Sequence, residues 1–233
     1  MDIESVVISC DNSHYKDFYD INLKIWSHFK IGLDCFYVDD EKSTKKNSFV
    51  KVNDISTALQ SQIARLYGIK QINNTNVLIS DIDMIPININ YFKDTAKELK
   101  DDEIMFYSGQ PYGVNNYFPM CYVLGKSEIL TDLFQLCKFE SFEEFVLCLH
   151  KKYNGDWNTD EHYVYDCVKA YNKDKIVIKT DREFSRRIDR SNWTWQLELL
   201  KSGYYIDSHL LRPYKDYKQP IDQLVDQILN IKM

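Results

Sequence analysis

Asn76-Val-Leu-Ile-Ser80-Asp81-Ile-Asp83-Met-Ile-Pro86 is the stretch on which the fold turns. Val77, Leu78 and Ile79 form a short apolar run of the kind that occupies a buried strand. Pro86 cannot continue a central ladder, so the strand is expected to stop around it. Period-two alternation sends the carboxylates of Asp81 and Asp83 to one side, roughly 6 to 7 Å apart along the strand, with Ile82 turned into apolar packing. Open α/β sheets bind ligands at the carboxyl ends of their strands. Hard cations such as Mg²⁺ or Mn²⁺ take one or two protein carboxylates there and fill their sphere with water and phosphate oxygens. The plainer alternative is a pair of Asp residues that make a turn and cap the next element of the chain.

Upstream, Ser5-Val-Val-Ile-Ser-Cys10 reads as a strand, and apolar residues at Phe18, Ile21, Leu23, Ile25, Trp26 and Phe29 read as a helix. Leu33 to Val38 is a second strand, followed by an exposed Lys/Ser/Asn-rich connection to Ser48. A helix is expected over 57–68. Thr57-Ala-Leu-Gln60 fits a capping box, Leu59, Ile63, Leu66 and Tyr67 share one face, and Gly68 is placed to end it. Downstream, 103–108 and 118–124 read as strands, 127–138 and 141–152 as amphipathic helices, and 176–178 as a short strand. Asp156-Trp-Asn-Thr-Asp160-Glu161 leads into a helix with Tyr163, Val164, Cys167, Val168, Ala170 and Tyr171 on its apolar face. Ile221 to Ile231 is a final helical stripe. Strand-helix-strand alternation implies a parallel α/β sheet in one domain. Its first half lies at about 1–100, its second at about 101–220, and its last helix at about 220–232.

Composition narrows the function. The 233 residues are 27% charged and 44% apolar with only 7 Gly and 5 Pro, which excludes disorder and fibrous repeats. A formal charge of -6 offers no field for a polyanion, so no nucleic-acid partner is expected. No stretch approaches 18 apolar residues and the amino terminus is acidic, so the chain reads as unexported, with no membrane-spanning segment. Six scattered cysteines without a CxxC pair, mostly beside apolar residues, read as reduced and buried.

The order of these features resembles the metal-dependent nucleotide-sugar glycosyltransferases of the GT-A fold. The resemblance rests on Cys10-Asp11-Asn12 ending the first strand, a helix carrying Gln62 and Arg65, Val77-Leu-Ile-Ser-Asp81-Ile-Asp83, then Trp157-Asn-Thr-Asp160-Glu161 and Asp207-Ser-His209. It covers most of residues 3–215. It implies a Rossmann-like, mixed but mainly parallel sheet flanked by helices, and transfer of a sugar from a nucleotide-sugar donor, UDP-linked by preference, to a hydroxyl on a glycan, lipid or protein. By order, Asp83 and His209 would hold Mn²⁺ or Mg²⁺, with Asp81 over the ribose and metal. Cys10, Asp11, Asn12, Gln62, Arg65, Arg212 and Lys215 are the remaining donor-site candidates. The Asn-Ser-Gly stretch of many retaining members is replaced here by Phe118-Pro-Met-Cys-Tyr122. The absence of an anchor suggests a small cytoplasmic enzyme of the sort found in bacteria and large DNA viruses.

The residues themselves constrain these roles. Arg65 falls roughly 145° from the centre of the apolar stripe, which predicts an exposed side chain. Asp160 and Glu161 at a helix start complement the dipole, which would keep Asp160 ionised as a base or nucleophile must be; Asp156 is the reserve. The basic run of Arg182, Arg186, Arg187 and Arg190 with Trp193 and Trp195 could hold a phosphate or stack on sugar faces, but beside Asp181, Glu183 and Asp189 it reads more readily as a surface ion network. A sugar nucleotidyltransferase would bring a Gly-rich phosphate loop where Asp11-Asn-Ser-His14 stands, and a phosphatase would place its DxD after the first strand. A glycan-binding protein with an incidental DxD is the non-enzymatic rival.

Overall fold

In the computed structural model, residues 1–11, 15–40, 47–108 and 117–231 are described. Their elements run in the order β1 (Ser5–Asp11), α1 (Tyr19–His28), β2 (Gly32–Asp39), β3 (Ser48–Val50), α2 (Thr57–Tyr67), β4 (Asn76–Ser80), β5 (Met84–Pro86), α3 (Ile89–Glu98), β6 (Ile104–Phe106) and β7 (Tyr122–Lys126). They continue with α4 (Ser127–Leu133), α5 (Phe142–Tyr153), α6 (Thr159–Ala170), β8 (Ile176–Ile178), β9 (Arg187–Ile188), α7 (Leu197–Lys201), β10 (Asp207–His209) and α8 (Lys218–Leu229).

Among the described residues seven strands form one sheet in the order β3-β2-β1-β4-β7-β6-β8. Only β7 runs against the rest, pairing antiparallel with β4 and β6. The central strands β1, β4, β7 and β6 are buried on both faces, and their alternation divides the core in two. Val6, Ile8, Cys10, Leu78, Met105 and Leu124 face α1, α3 and α8, whereas Val7, Val77, Ile79, Phe106 and Val123 face α2, α4, α5 and α6. Each fully buried aliphatic side chain contributes about 1.5–3 kcal/mol. Among the described residues no helix is long and apolar enough to cross a membrane.

The decisive stretch does not remain one strand. β4 ends at Ser80, a turn closed by Met84 N–H donating to the Asp81 carbonyl (3.1 Å) reverses direction, and β5 joins a second sheet of order β5-β10-β9. Pro86 sits in an edge strand of that sheet, where a missing N–H is tolerated. Asp81-Ile82-Asp83 is therefore the junction between two sheets.

Other expectations are also modified. The helix over 57–67 forms without the capping box. Thr57 Oγ1 donates to Asp11 Oδ2 (2.9 Å), and the fully buried Gln60 amide holds Val52 and Ile55 instead. Gly68 has φ −59, so it is not a left-handed stop; a Cβ there would lie 2.5 Å from the Phe36 ring. No disulfide joins any of the six cysteines, and Cys137 and Cys148 are exposed rather than buried. The strand expected at 118–124 begins only at Tyr122, and α3, absent from the sequence reading, is capped by Asn88 Oδ1 accepting from Tyr91 N–H.

Candidate active site

The ends of β4 and β10, the flank of α2 and the start of α6 surround a cleft of about 940 Å³. The turn that carries its two carboxylates is pinned from below. Fully buried Asn22 on α1 donates through Nδ2 to the Ile82 carbonyl (2.6 Å), and Leu210 N–H donates to the Asp83 carbonyl (2.8 Å).

Each carboxylate of the turn has its own cations. Arg65 Nη1 is ion-paired with Asp81 Oδ1 and donates to the Ser80 carbonyl (3.2 Å), while its Nη2 lies 2.7 Å from Asp160 Oδ2. Arg65 is 5% exposed, contrary to the exposed position that its place on the helix predicts. The reason is that α6 packs on that flank of α2, so the helix is covered on two sides. Asp83 Oδ2 lies 3.3 Å from His209 Nε2, 3.2 Å from Arg190 Nη1 and 3.7 Å from Arg212 Nη1. His209 Nδ1 is 3.4 Å from Asp189 Oδ2, and Arg212 also bonds the Tyr15 hydroxyl.

Burial raises the Asp83 carboxyl, but His209, Arg212 and Arg190 outweigh it and hold the group below its ordinary value. Asp189 is lowered likewise: burial opposes, and His209 and Ser191 prevail. Burial lowers His209, yet its bonds to Asp189 and Asp83 lift it to about 9, an imidazolium at neutral pH. Asp160 is raised, chiefly by burial, with the Arg65 guanidinium pulling it back. Its ion pair with Arg65 and the Glu161 N–H donating to its Oδ1 (2.9 Å) both act against that rise. Glu161 is pushed up to about 8 by burial first and by the Asp160 and Asp81 charges next.

Asp81, Asp83, His209, Gln62, Arg65, Asp160, Glu161 and Arg212 therefore line one cleft. Four candidates do not. The Cys10 thiol is fully buried in the core, 3.8 Å from that of Cys35. The Asp11 carboxylate is buried against Thr57, Asp156 is exposed and lends only its carbonyl to the start of α6, and Lys215 is exposed on the turn Tyr214–Asp216. Asn12 lies outside the described residues. The sequence reading missed Asp189 as a partner of His209, and it preferred a surface ion network to a ligand role for Arg182, Arg187 and Arg190, although all three line the cleft. The signal was available in the acid-base alternation of 181–190. Reading it required the β9-β10 pairing, which brings Arg187 beside Asp207.

No protein-family model matches the sequence, and no curated protein matches it. Among solved structures, the apo form of the glycosyltransferase GlyE from Streptococcus pneumoniae TIGR4 superposes on 98% of this chain with a TM-score of 0.54 at 12% identity. The fold is of the GT-A glycosyltransferase type. This chain spans 62% of the GlyE chain's length. More distant is a glycosyltransferase involved in glycosylation of the major capsid of PBCV-1, with a TM-score of 0.49, 8% identity, and 89% of this chain and 94% of that one covered. A Drosophila β1,4-galactosyltransferase 7 mutant in complex with manganese, UDP-Gal and xylobiose gives a TM-score of 0.45 at 9% identity, with 93% and 74% covered. Within the glycosyltransferase fold, the cleft lies where β4 leaves the large sheet.

Proposed function

We propose that the protein transfers a sugar from a nucleotide-sugar donor, UDP-linked by preference, to a hydroxyl acceptor on a glycan, lipid or protein. The observation that carries this reading is the Asp81-Ile82-Asp83 turn set against His209 in the cleft, with Asp83 Oδ2 and His209 Nε2 3.3 Å apart. One carboxylate and one imidazole would suit Mn²⁺ or Mg²⁺ once the ion displaces the proton that His209 holds between Asp83 and Asp189, with diphosphate oxygens and water in the other positions. Among the described residues no three His, Cys, Asp or Glu groups converge as a metal site, so the remaining positions would have to come from the donor and water. When bound, the ion neutralises charge on the diphosphate leaving group.

The chain's own residues supply the rest. Arg190 and Arg212 lie against Asp83 and can turn to the diphosphate, for which a guanidinium fork is well matched. Among the described residues Gln62 Oε1, on the α2 side, is buried without a hydrogen-bond partner and offers an acceptor to the N–H edge of a base. Asp160 stays with Arg65 and fixes the start of α6. Glu161, less buried and next to it, takes the proton of the acceptor hydroxyl; its value of about 8 suits a base working near neutral pH. The sugar passes through an oxocarbenium-like state as in glycoside hydrolysis.

Calorimetric titration of UDP in Mn²⁺ and in EDTA tests the donor site. Tighter binding with Mn²⁺, lost in Asp83→Ala, is the expected result, because a diphosphate facing carboxylates needs a cation between them. Equal affinity in chelator would remove the metal, and no UDP binding in either buffer would favour a glycan-binding protein.

A further inference from the structure

Sheet order gives the cleft two ends. β1 and α2 provide Ser9, Ala58, Ser61 and Gln62 on one side of β4, whereas β6 and the chain leaving β8 provide Tyr107, Lys179, Arg182 and Phe184 on the other. The first end belongs to the donor reading above. The second carries an unbalanced charge.

Arg182 and Arg187 share one fully buried carboxylate, Asp207. Arg182 Nε bonds Oδ2, and Arg187 Nε bonds Oδ1 at 2.9 Å. Asp189 Oδ2 lies 3.9 Å from Arg187 Nη1, but it also faces His209, and the other Asp189 oxygen accepts from Ser191. The Arg182 side chain is 3% exposed. Among the described residues its Nη1 reaches only a weak acceptor, Cys121 Sγ at 3.1 Å, and its Nη2 is buried with no hydrogen-bond partner. A buried N–H without an acceptor is costly, and a guanidinium fork matches the two oxygens of a carboxylate or phosphate. The Tyr122 ring, 4.8 Å from the guanidinium carbon, fixes its plane. At the rim of this end Phe184 is 64% exposed, and Trp157, on the α6 side, is 56% exposed. Large exposed rings beside a cleft provide stacking faces.

We infer that this end of the cleft binds an acceptor sugar bearing an anionic substituent, carboxylate or phosphate, with the anion on Arg182 and Arg187 and the apolar face of the sugar ring on a rim aromatic. The acceptor role rests on the glycosyltransferase reading; the anion site does not.

Three probes test it by calorimetry, each with and without saturating UDP and Mn²⁺: methyl glucuronide, glucose 6-phosphate and neutral methyl glucoside. At least one charged probe should bind about tenfold or more tightly than the glucoside, the factor expected of one charge-assisted hydrogen bond. Glucuronide alone would assign a carboxylate, the sugar phosphate alone a phosphate. Arg187→Gln should erase most of the preference, and Phe184→Ala should weaken all three probes together, both with UDP affinity retained. Arg182→Gln should abolish the preference; if that variant does not fold, Arg187→Gln decides. Equal binding of charged and neutral probes, no binding of either charged probe, or a preference that survives Arg187→Gln would overturn the inference, the last by moving the anion to Arg190 and Arg212. Failure of UDP to bind would overturn only the acceptor role, because the probe preference is also measured without it.

Discussion

Glu161 works against the stability of the fold that holds it. Its carboxyl is raised to about 8 from an ordinary value of 4.5, so between those values the folded chain holds a proton that the unfolded chain has released. Stability is then lost as pH rises from 4.5 through 8. Glu161→Gln should melt higher than the parent at pH 8, with the gap closing below pH 4.5, as differential scanning calorimetry would show. The same change should slow transfer by roughly 10²-fold to 10⁴-fold, and the parent's rate should rise with pH through about 8. Asp160→Asn should behave differently. It breaks a buried pair while Arg65 keeps Asp81, so a loss of about 3 kcal/mol is expected, at the low end for such pairs and beyond the change of under about 1 kcal/mol for a helix-dipole residue. Normal melting of Asp160→Asn would mean that the Arg65 pairing contributes little. At this scale the sequence told residue type and spacing but not company. Asp81, Asp83 and His209 were legible as candidates, whereas the burial of Arg65 depends on α6, about 95 residues away in sequence.

Elements were legible in proportion to their length. α2, α5, α6 and α8 each run 11 or 12 residues and declare a stripe, and the strands of the large sheet that carry continuous apolar runs were readable as buried. β5, β9 and β10 have only two or three residues, too few to show a period, and the second sheet was therefore invisible. α3 left a trace in Asn88 followed by Ile89, Phe92 and Ala96, an N-cap and a helical stripe that went unread. Gly68 shows how a correct boundary can rest on a different cause. Its hydrogen atom admits the Phe36 ring where α2 meets β2. Gly68→Ala should therefore destabilise by about 1–3 kcal/mol, despite the better helix propensity of alanine. The urea midpoint should fall with the slope unchanged. An unchanged or higher midpoint would mean that the ring moves aside freely.

Across the whole molecule, side chains of each central strand enter both cores in alternation, so neither helical layer can leave without exposing the same strands. Unfolding should be a single transition, with near-ultraviolet and far-ultraviolet dichroism superimposing through a urea titration. Separated curves would show that one layer melts alone. Fold class was readable because alternating strands and helices constrain architecture even at 12% identity, a level at which individual residues no longer align by eye. The turn between the two sheets has a further consequence for descent. Asp81-Ile82-Asp83 must span from β4 to β5 in a fixed number of residues, since one more or one fewer would shift β5 against β10 and exchange its inward and outward faces. Ile82 can be exchanged for another residue of its size, but a codon inserted or deleted beside it would break the second sheet before it touched any chemistry. A descendant that had lost its catalytic role would still inherit the spacing of this motif.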